Sequence, residues 1–213
     1  MPTRIYLIRH GESQANEKNM FIGHTDMALT RRGQEQARIA AQYLKDIHPD
    51  AVYSSDLQRA YHTALAVAEP LGMTVIRDPD LREIYAGQWE GVPFDVLQTT
   101  RKEAYDVWLN DVAHVRCEGG ESVPEVMERV RGAVRRIALA HENQVVFIFS
   151  HGTPIRAMAV HAMGKPVDAL EVLPWPSNAS VTEVEFDGKE FRLLRYSEDG
   201  FMGDLGTKLP DNV

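Results

Sequence analysis

TRIYLIR (Thr3–Arg9) and VVFIF (Val145–Phe149) are the two stretches from which the fold is read. Each is short, rich in large apolar or β-branched residues, and free of helical spacing, as a strand buried on both faces must be. Each also runs directly into a His-Gly pair: Arg9-His10-Gly11-Glu12-Ser13 after the first, Ser150-His151-Gly152-Thr153 after the second. Between them, strand and helix signals alternate. Thr30 opens a helix through about Lys45, with Ala37, Ala40, Ala41 and Leu44 on one face. Ala51 to Ser55 reads as a short strand. Asp56 then starts a helix carrying Leu57, Ala60, Ala64, Val67 and Ala68, which Pro70 or Gly72 ends. Thr74 to Arg77 is another short strand, and Phe94 to about Asp111 reads as one helix. Ser122 with Glu125 forms a capping box ahead of a helix through about His141. Pro154 to Met163 is a helix with proline in its first turn, and Val181–Phe186 with Glu190–Tyr196 forms a hairpin around Asp187-Gly188. Strands separated by helices predict an α/β fold in three layers: a mostly parallel central sheet with helices on both faces. One domain over residues 1–213 is expected, with a loose tail after about residue 198, where the chain turns Gly-rich and acidic.

Composition sets the outer limits. The 213 residues carry 23 Lys+Arg against 31 Asp+Glu, a formal charge of −8, which argues against a nucleic-acid partner. The longest apolar runs, Ala64–Ala68 and Val145–Phe149, are far short of the ~20 residues a membrane helix needs, so no membrane partner is expected. No signal peptide is recognisable, and the cytoplasm is the expected location. The single cysteine, Cys117, excludes an internal disulfide framework and a cysteine-rich zinc site. Other catalytic motifs are missing: there is no G-x-S-x-G, no G-x-x-x-x-G-K-[ST] and no H-E-x-x-H. Asn178-Ala179-Ser180 has the form of a glycosylation sequon, without meaning in an unsecreted chain.

Ligands of open α/β sheets bind at the carboxyl ends of the strands. Both His-Gly pairs stand there, as do Ser54-Ser55-Asp56 with Arg59 one turn later, and Arg82-Glu83 after the fourth strand. Two histidines, two arginines and one glutamate suit phosphoryl transfer without a metal. Arginine forks match the oxygens over which the transferred group spreads its charge. A neutral imidazole is a competent nucleophile near pH 7. A carboxylic acid can protonate the leaving oxygen and then activate water. Taken singly, each residue has a structural reading too: Arg59 as a surface helix residue, Glu83 as a solvated loop acid, Glu12 as a helix-entry acid, Ser13 as a cap. The joint pattern carries the inference.

That pattern resembles the histidine phosphatase superfamily, in its phosphoglycerate-mutase-like branch. The matching stretches are Leu7–Ser13 with Asn16, Gly23-His24-Thr25-Asp26, Leu29-Thr30, Gly33–Ala37, Ser54–Ala60 with Thr63-Ala64, Leu81-Arg82-Glu83, Gly87–Gly91, Gly119–Ser122 and Ser150-His151-Gly152. The resemblance implies that His10 is the phosphate-accepting nucleophile. It implies that Arg9, Arg59 and His151 hold the phosphoryl oxygens, and that Glu83 is the proton donor and then the base for water, with Glu12 and Glu90 as rival acids. Asn16 and Gly23 match positions that contact phosphate or substrate, and Ser13 and Gly152 of the same motifs are expected on the substrate side. The family needs neither metal nor organic cofactor for hydrolysis, so none is expected.

Cofactor-dependent mutases of the branch are longer between the acid and the second histidine. They resemble one another in Trp where Ala15 and His24 stand here and Asn where Thr153 stands. The chain is more similar to the small broad-specificity and α-ribazole-phosphate phosphatases. Hydrolysis of a small phosphorylated metabolite is therefore expected. A phosphoglycerate mutase is the runner-up, and a non-catalytic phospho-ligand binding module the rival from another class. Intact Arg9, His10, Arg59, Glu83 and His151 argue against the last.

Overall fold

A computed structural model describes residues 1–207. Its central sheet contains β1 (Thr3–Arg9), β3 (Ala51–Ser54), β4 (Val75–Arg77), β6 (Val145–Ser150), β7 (Val181–Phe186) and β8 (Phe191–Glu198), and a separate short ribbon pairs β2 (Met20–Phe21) with β5 (Val92–Pro93). The sheet order is β4-β3-β6-β1-β7-β8; the first four strands are parallel, and the C-terminal hairpin adds two antiparallel ones. The expected mostly parallel sheet is what forms.

Successive residues on the central strands feed two cores, because side chains alternate across a sheet. Ile5, Leu7, Val146 and Ile148 face α6 (Val123–Ala140) and α7 (Gly152–Ala162). Ile8, Phe147 and Phe149 face α2 (Arg31–Leu44) and α3 (Gln58–Ala68), meeting Leu44, Ala64, Val67 and Ala68. Local sequence sets the helix starts. The Thr30 hydroxyl accepts from Gly33 N at the entry to α2, and Ser122 and Glu125 close the expected capping box on α6.

Two expectations change and one helix is added. The 94–111 helix is two helices, α4 (Phe94–Thr100) and α5 (Lys102–Asn110), broken at Arg101, whose φ of −136° and ψ of 36° are not helical. Thr99 and Thr100 supply the reason, since both hydroxyls bond back to carbonyls of the preceding turn and are poor continuers of a helix. A short helix, α1 (Gln14–Glu17), follows the first His-Gly pair and is capped by Ser13. The stretch after Glu198 is not loose as far as Thr207. Phe201 stacks on Tyr43 at 4.0 Å, Met202 is buried, and Leu205 O accepts from Arg32 and Gln36. Its glycines are spacers between side chains that dock. The remaining tail, 208–213, lies outside the described residues.

Candidate active site

β1 and β6 are parallel neighbours, with Arg9 opposite Ser150, so the two His-Gly pairs leave the sheet side by side. The imidazoles of His10 and His151 meet edge-on, 5.1 Å between centroids. His10 is buried, and its Nδ1 lies 2.7 Å from Gly11 O. A carbonyl only accepts, so Nδ1 carries the proton and Nε2 keeps the lone pair. Burial holds the His10 imidazole well below its ordinary basicity, and the Arg59 and Arg9 guanidiniums add to this. His151 is depressed in the same way, by burial first and then by Arg59; its Nε2 lies 2.8 Å from Ser55 Oγ.

Arg59 projects from the first turn of α3 and is 2% exposed. Its Nη2 donates to Gly23 O (2.8 Å) and its Nη1 to Thr25 O (3.1 Å). Burial pushes its guanidinium down to about 10, which still leaves it a cation at neutral pH. Arg9 donates to Pro176 O and is also nearly enclosed. Among the described residues, Arg9 Nε and His151 Nδ1 are buried without a hydrogen-bond partner. Buried polar nitrogens of this kind are costly unless something pairs with them.

Glu83 comes from the irregular segment after β4. Its Oε1 accepts from Ile84 N (2.8 Å) and its Oε2 from Thr153 N (3.3 Å), which ties it to the start of α7 beside His151. Arg9, His10, Arg59 and Glu83 line one cavity of about 590 Å³, together with Ser13, Asn16 and Gly152. Asn16 Oδ1 accepts from Ser13 N, Ser13 Oγ and Asn178 Nδ2, leaving the Asn16 amide nitrogen as its remaining donor. The sequence thus brings eight of its nine site residues to this cavity or, for His151, into ring contact with a residue lining it. Gly23 is the exception. It stands behind Arg59, giving that guanidinium a carbonyl, and a Cβ there would lie 1.9 Å from Ile84 O.

Several residues escape the sequence reading. Glu90 is no acid in waiting: its carboxylate accepts from Gly23 N, His24 N, Thr25 N and Ala86 N at 2.7–3.2 Å. Burial pushes its carboxyl up, but the Thr25 hydroxyl and the surrounding amides outweigh this and hold it below the ordinary carboxylate range. The other rival, Glu12, accepts from the Thr30 hydroxyl at 2.7 Å and lies 3.8 Å from Arg32. Arg129 on α6 donates to Asp80 O, Arg82 O and Glu83 O while pairing with Glu121 at 2.8–2.9 Å, so one guanidinium grips the acid-bearing segment. Arg82 points elsewhere, in a bidentate pair with Asp56. Asn178, noticed only as part of a sequon, donates to His10 O at 3.1 Å. The Gly87–Gly91 stretch marks Glu90 only as a rival acid and no local motif marks Arg129; their supporting roles show in their repeated backbone partners.

The chain matches the model of the histidine phosphatase superfamily (branch 1) over residues 5–199. It is 36% identical over 203 residues to phosphoserine phosphatase 1 of Hydrogenobacter thermophilus, covering 95% of each chain. It is 33% identical over 167 residues to the adenosylcobalamin/α-ribazole phosphatase of Escherichia coli, covering 78% of this chain and 82% of that one. Among solved structures, a mycobacterial glucosyl-3-phosphoglycerate phosphatase complexed with VO3 superposes with a TM-score of 0.86 at 31% identity, covering 92% of this chain and 99% of that one. With cavity, strand-end histidines and whole-length similarity in agreement, this chain belongs to branch 1 of the histidine phosphatase superfamily.

Proposed function

We propose that the protein hydrolyses the phosphomonoester of a small metabolite through a phosphohistidine at His10. The observation that carries this reading is the meeting of a neutral, oriented imidazole with two buried guanidiniums and one carboxyl in a single cavity. The phosphoryl group lies against Arg9, Arg59 and His151. Two cations and the buried donors there stabilise the charge on its three non-bridging oxygens, which is where phosphoryl transfer needs help. His10 Nε2 attacks phosphorus in line with the ester oxygen. The N–P bond forms as the P–O bond breaks, and Glu83 gives its proton to the departing oxygen. The alcohol leaves. Glu83, now a carboxylate, takes a proton from a water that attacks the same phosphorus. The N–P bond breaks, inorganic phosphate departs, and His10 and Glu83 return to their starting states.

Hydrolysis is favoured over mutase activity, and release of inorganic phosphate without added 2,3-bisphosphoglycerate separates the two. The phosphatase names of the relatives support this reading. The test of the nucleophile is His10→Ala. Turnover is expected to vanish while the fold survives, and quenching the wild type with labelled substrate in alkaline detergent should yield a base-stable, acid-labile phosphoenzyme lost in the variant. An acid-stable label on Ser13 would overturn the assignment.

A further inference from the structure

The cavity is far larger than a phosphoryl group, and one of its walls is aromatic. Four rings run along it in unbroken contact. Phe94 meets Phe21 edge-on at 6.0 Å, Phe21 meets Trp108 at 4.7 Å, and Trp108 stacks on Trp175 at 5.3 Å and 27°. Phe21 and Trp108 are buried, whereas Phe94 and Trp175 are half-exposed and offer the wall its free surface. The Arg156 guanidinium lies over the Trp175 ring, 4.6 Å from its centroid. Such a surface is rigid, and leaving it wet costs free energy in proportion to its area.

The position of the wall relative to the acid gives it meaning. A Cβ on Gly152 would lie 3.4 Å from Cε3 of Trp175 and 3.6 Å from Glu83 Oε2, so the indole edge and the carboxyl flank the same point. The leaving oxygen must sit at Glu83, and the first carbons of the leaving alcohol therefore lie beside Trp175. A second anionic group on the substrate finds less. Among the described residues the only cation on the cavity besides Arg9 and Arg59 is Arg32, whose guanidinium already donates to Leu205 O and Gly206 O and lies 3.8 Å from Glu12.

We infer that this cavity selects phosphomonoesters of alcohols that carry a flat apolar body a few bonds from the phosphate, with Trp175 and Phe94 as its binding face, in preference to short charged substrates such as O-phosphoserine. This rests on the phosphatase reading and on Glu83 marking the leaving-group side. The experiment compares kcat/KM for 2-phenylethyl phosphate, ethyl phosphate and O-phosphoserine. The first two leave as similar primary alkoxides, so their ratio reports the body and not the chemistry. The wild type should favour the phenylethyl ester over the ethyl ester by about 10- to 100-fold, mostly in KM, as burial of one ring against aromatic neighbours implies. Trp175→Ala and Phe94→Ala should each lower that ratio by about tenfold. Direct binding of 2-phenylethylphosphonate against ethylphosphonate to the wild type, measured by titration calorimetry, needs no variant and no turnover, and should show the same preference. A ratio near one with either pair, or phosphoserine as the better substrate, overturns the inference. Absence of all three activities in the wild type, or their survival in His10→Ala, would instead sink the phosphatase reading, leaving the phosphonate preference to decide the subsite.

Discussion

Glu90→Gln tests whether Arg59, the arginine proposed to hold phosphate, depends on a carboxylate it never touches. In the wild type Oε1 accepts from His24 N (2.7 Å) and Ala86 N (3.1 Å), and Oε2 from Gly23 N (3.2 Å) and Thr25 N (3.0 Å). A carboxamide keeps one acceptor and turns the other into a donor, so two amides lose their partner and face a like group. An unsatisfied buried amide costs about 1–3 kcal/mol, and water reaching the exposed side of Thr25 puts the pair in the lower half, about 2–4 kcal/mol in total. For a chain of this length each kcal/mol moves Tm by about 2–4 °C, so a fall of about 5–15 °C is expected with the protein still folded at 25 °C. Activity falls as well, because Gly23 O and Thr25 O are the acceptors that aim Arg59. The pH dependence is fixed in sign. Glu90 titrates lower in the folded chain than its ordinary value of 4.5, so its contribution is complete above that pH and is lost as pH falls through the folded value. The Tm gap between variant and wild type is therefore full at pH 7 and narrows below about pH 4.5. Thermal melts across pH, paired with phosphate release, read both effects. A variant melting within 1 °C of wild type at pH 7 (a shift too small for even one lost amide bond), or a gap that does not narrow in acid, refutes the reasoning.

Glu83→Gln should slow phosphorylation of His10 by alkyl phosphates about 10²–10⁴-fold while aryl phosphates, whose leaving groups need no proton, lose much less; equal slowing of both, or the same selectivity in Glu12→Gln, reassigns the acid. Burial, Arg59 and Arg9 all lower His10 basicity, so the imidazole stays neutral as pH falls past 6.5. The acid limb of single-turnover phosphorylation should therefore lie below pH 6.5 and move upward in Arg59→Met, and a limb centred at 6.5 in the wild type contradicts the electrostatics. Excess chelator should leave the rate unchanged, and a large loss restored by one divalent ion rules out a reaction run by these side chains alone.

What the sequence reveals and what it hides divide along a physical line. β1, β6, α2 and α6 are legible because each shows a periodicity or cap that depends on neighbours in the chain: Ile5 to Ile8, Val145 to Phe149, Thr30 with Gly33, Ser122 with Glu125. His10 and His151 are legible for the same reason, each following its strand directly. The break at Arg101 needs the threonine back-bonds to be seen in three dimensions. The docking of Phe201 on Tyr43 joins segments far apart in sequence. The aromatic residues at 94, 105 and 108 show helical spacing that suits a core. Tyr105 does lie in the core, yet Phe94 and Trp108 also line the cavity, a double role that spacing alone does not distinguish.

The acid is the hardest part of the site to read, and the structure gives the reason. His10, His151 and Arg59 sit on strand ends and a helix turn, which the sheet and α3 hold rigid without further help. Glu83 sits between two single 3₁₀ turns, Pro79–Leu81 and Gly87–Trp89, on a segment whose carbonyls must be satisfied one by one. Arg129 satisfies three of them from α6, Ser150 Oγ takes Leu81 O at 2.7 Å, and the Nε2 of His24 takes Glu83 O at 3.0 Å. In the proposed reaction Glu83 must be placed to within a hydrogen bond of the leaving oxygen, and this pinning does for its loop what secondary structure does for His10, His151 and Arg59. The aromatic wall is built from other elements again, β2, α4, α5 and the stretch before β7. The residues proposed for phosphate binding, proton delivery and recognition of the leaving alcohol thus rest on separate supports, and only those of the first sit directly on strand ends and a helix turn.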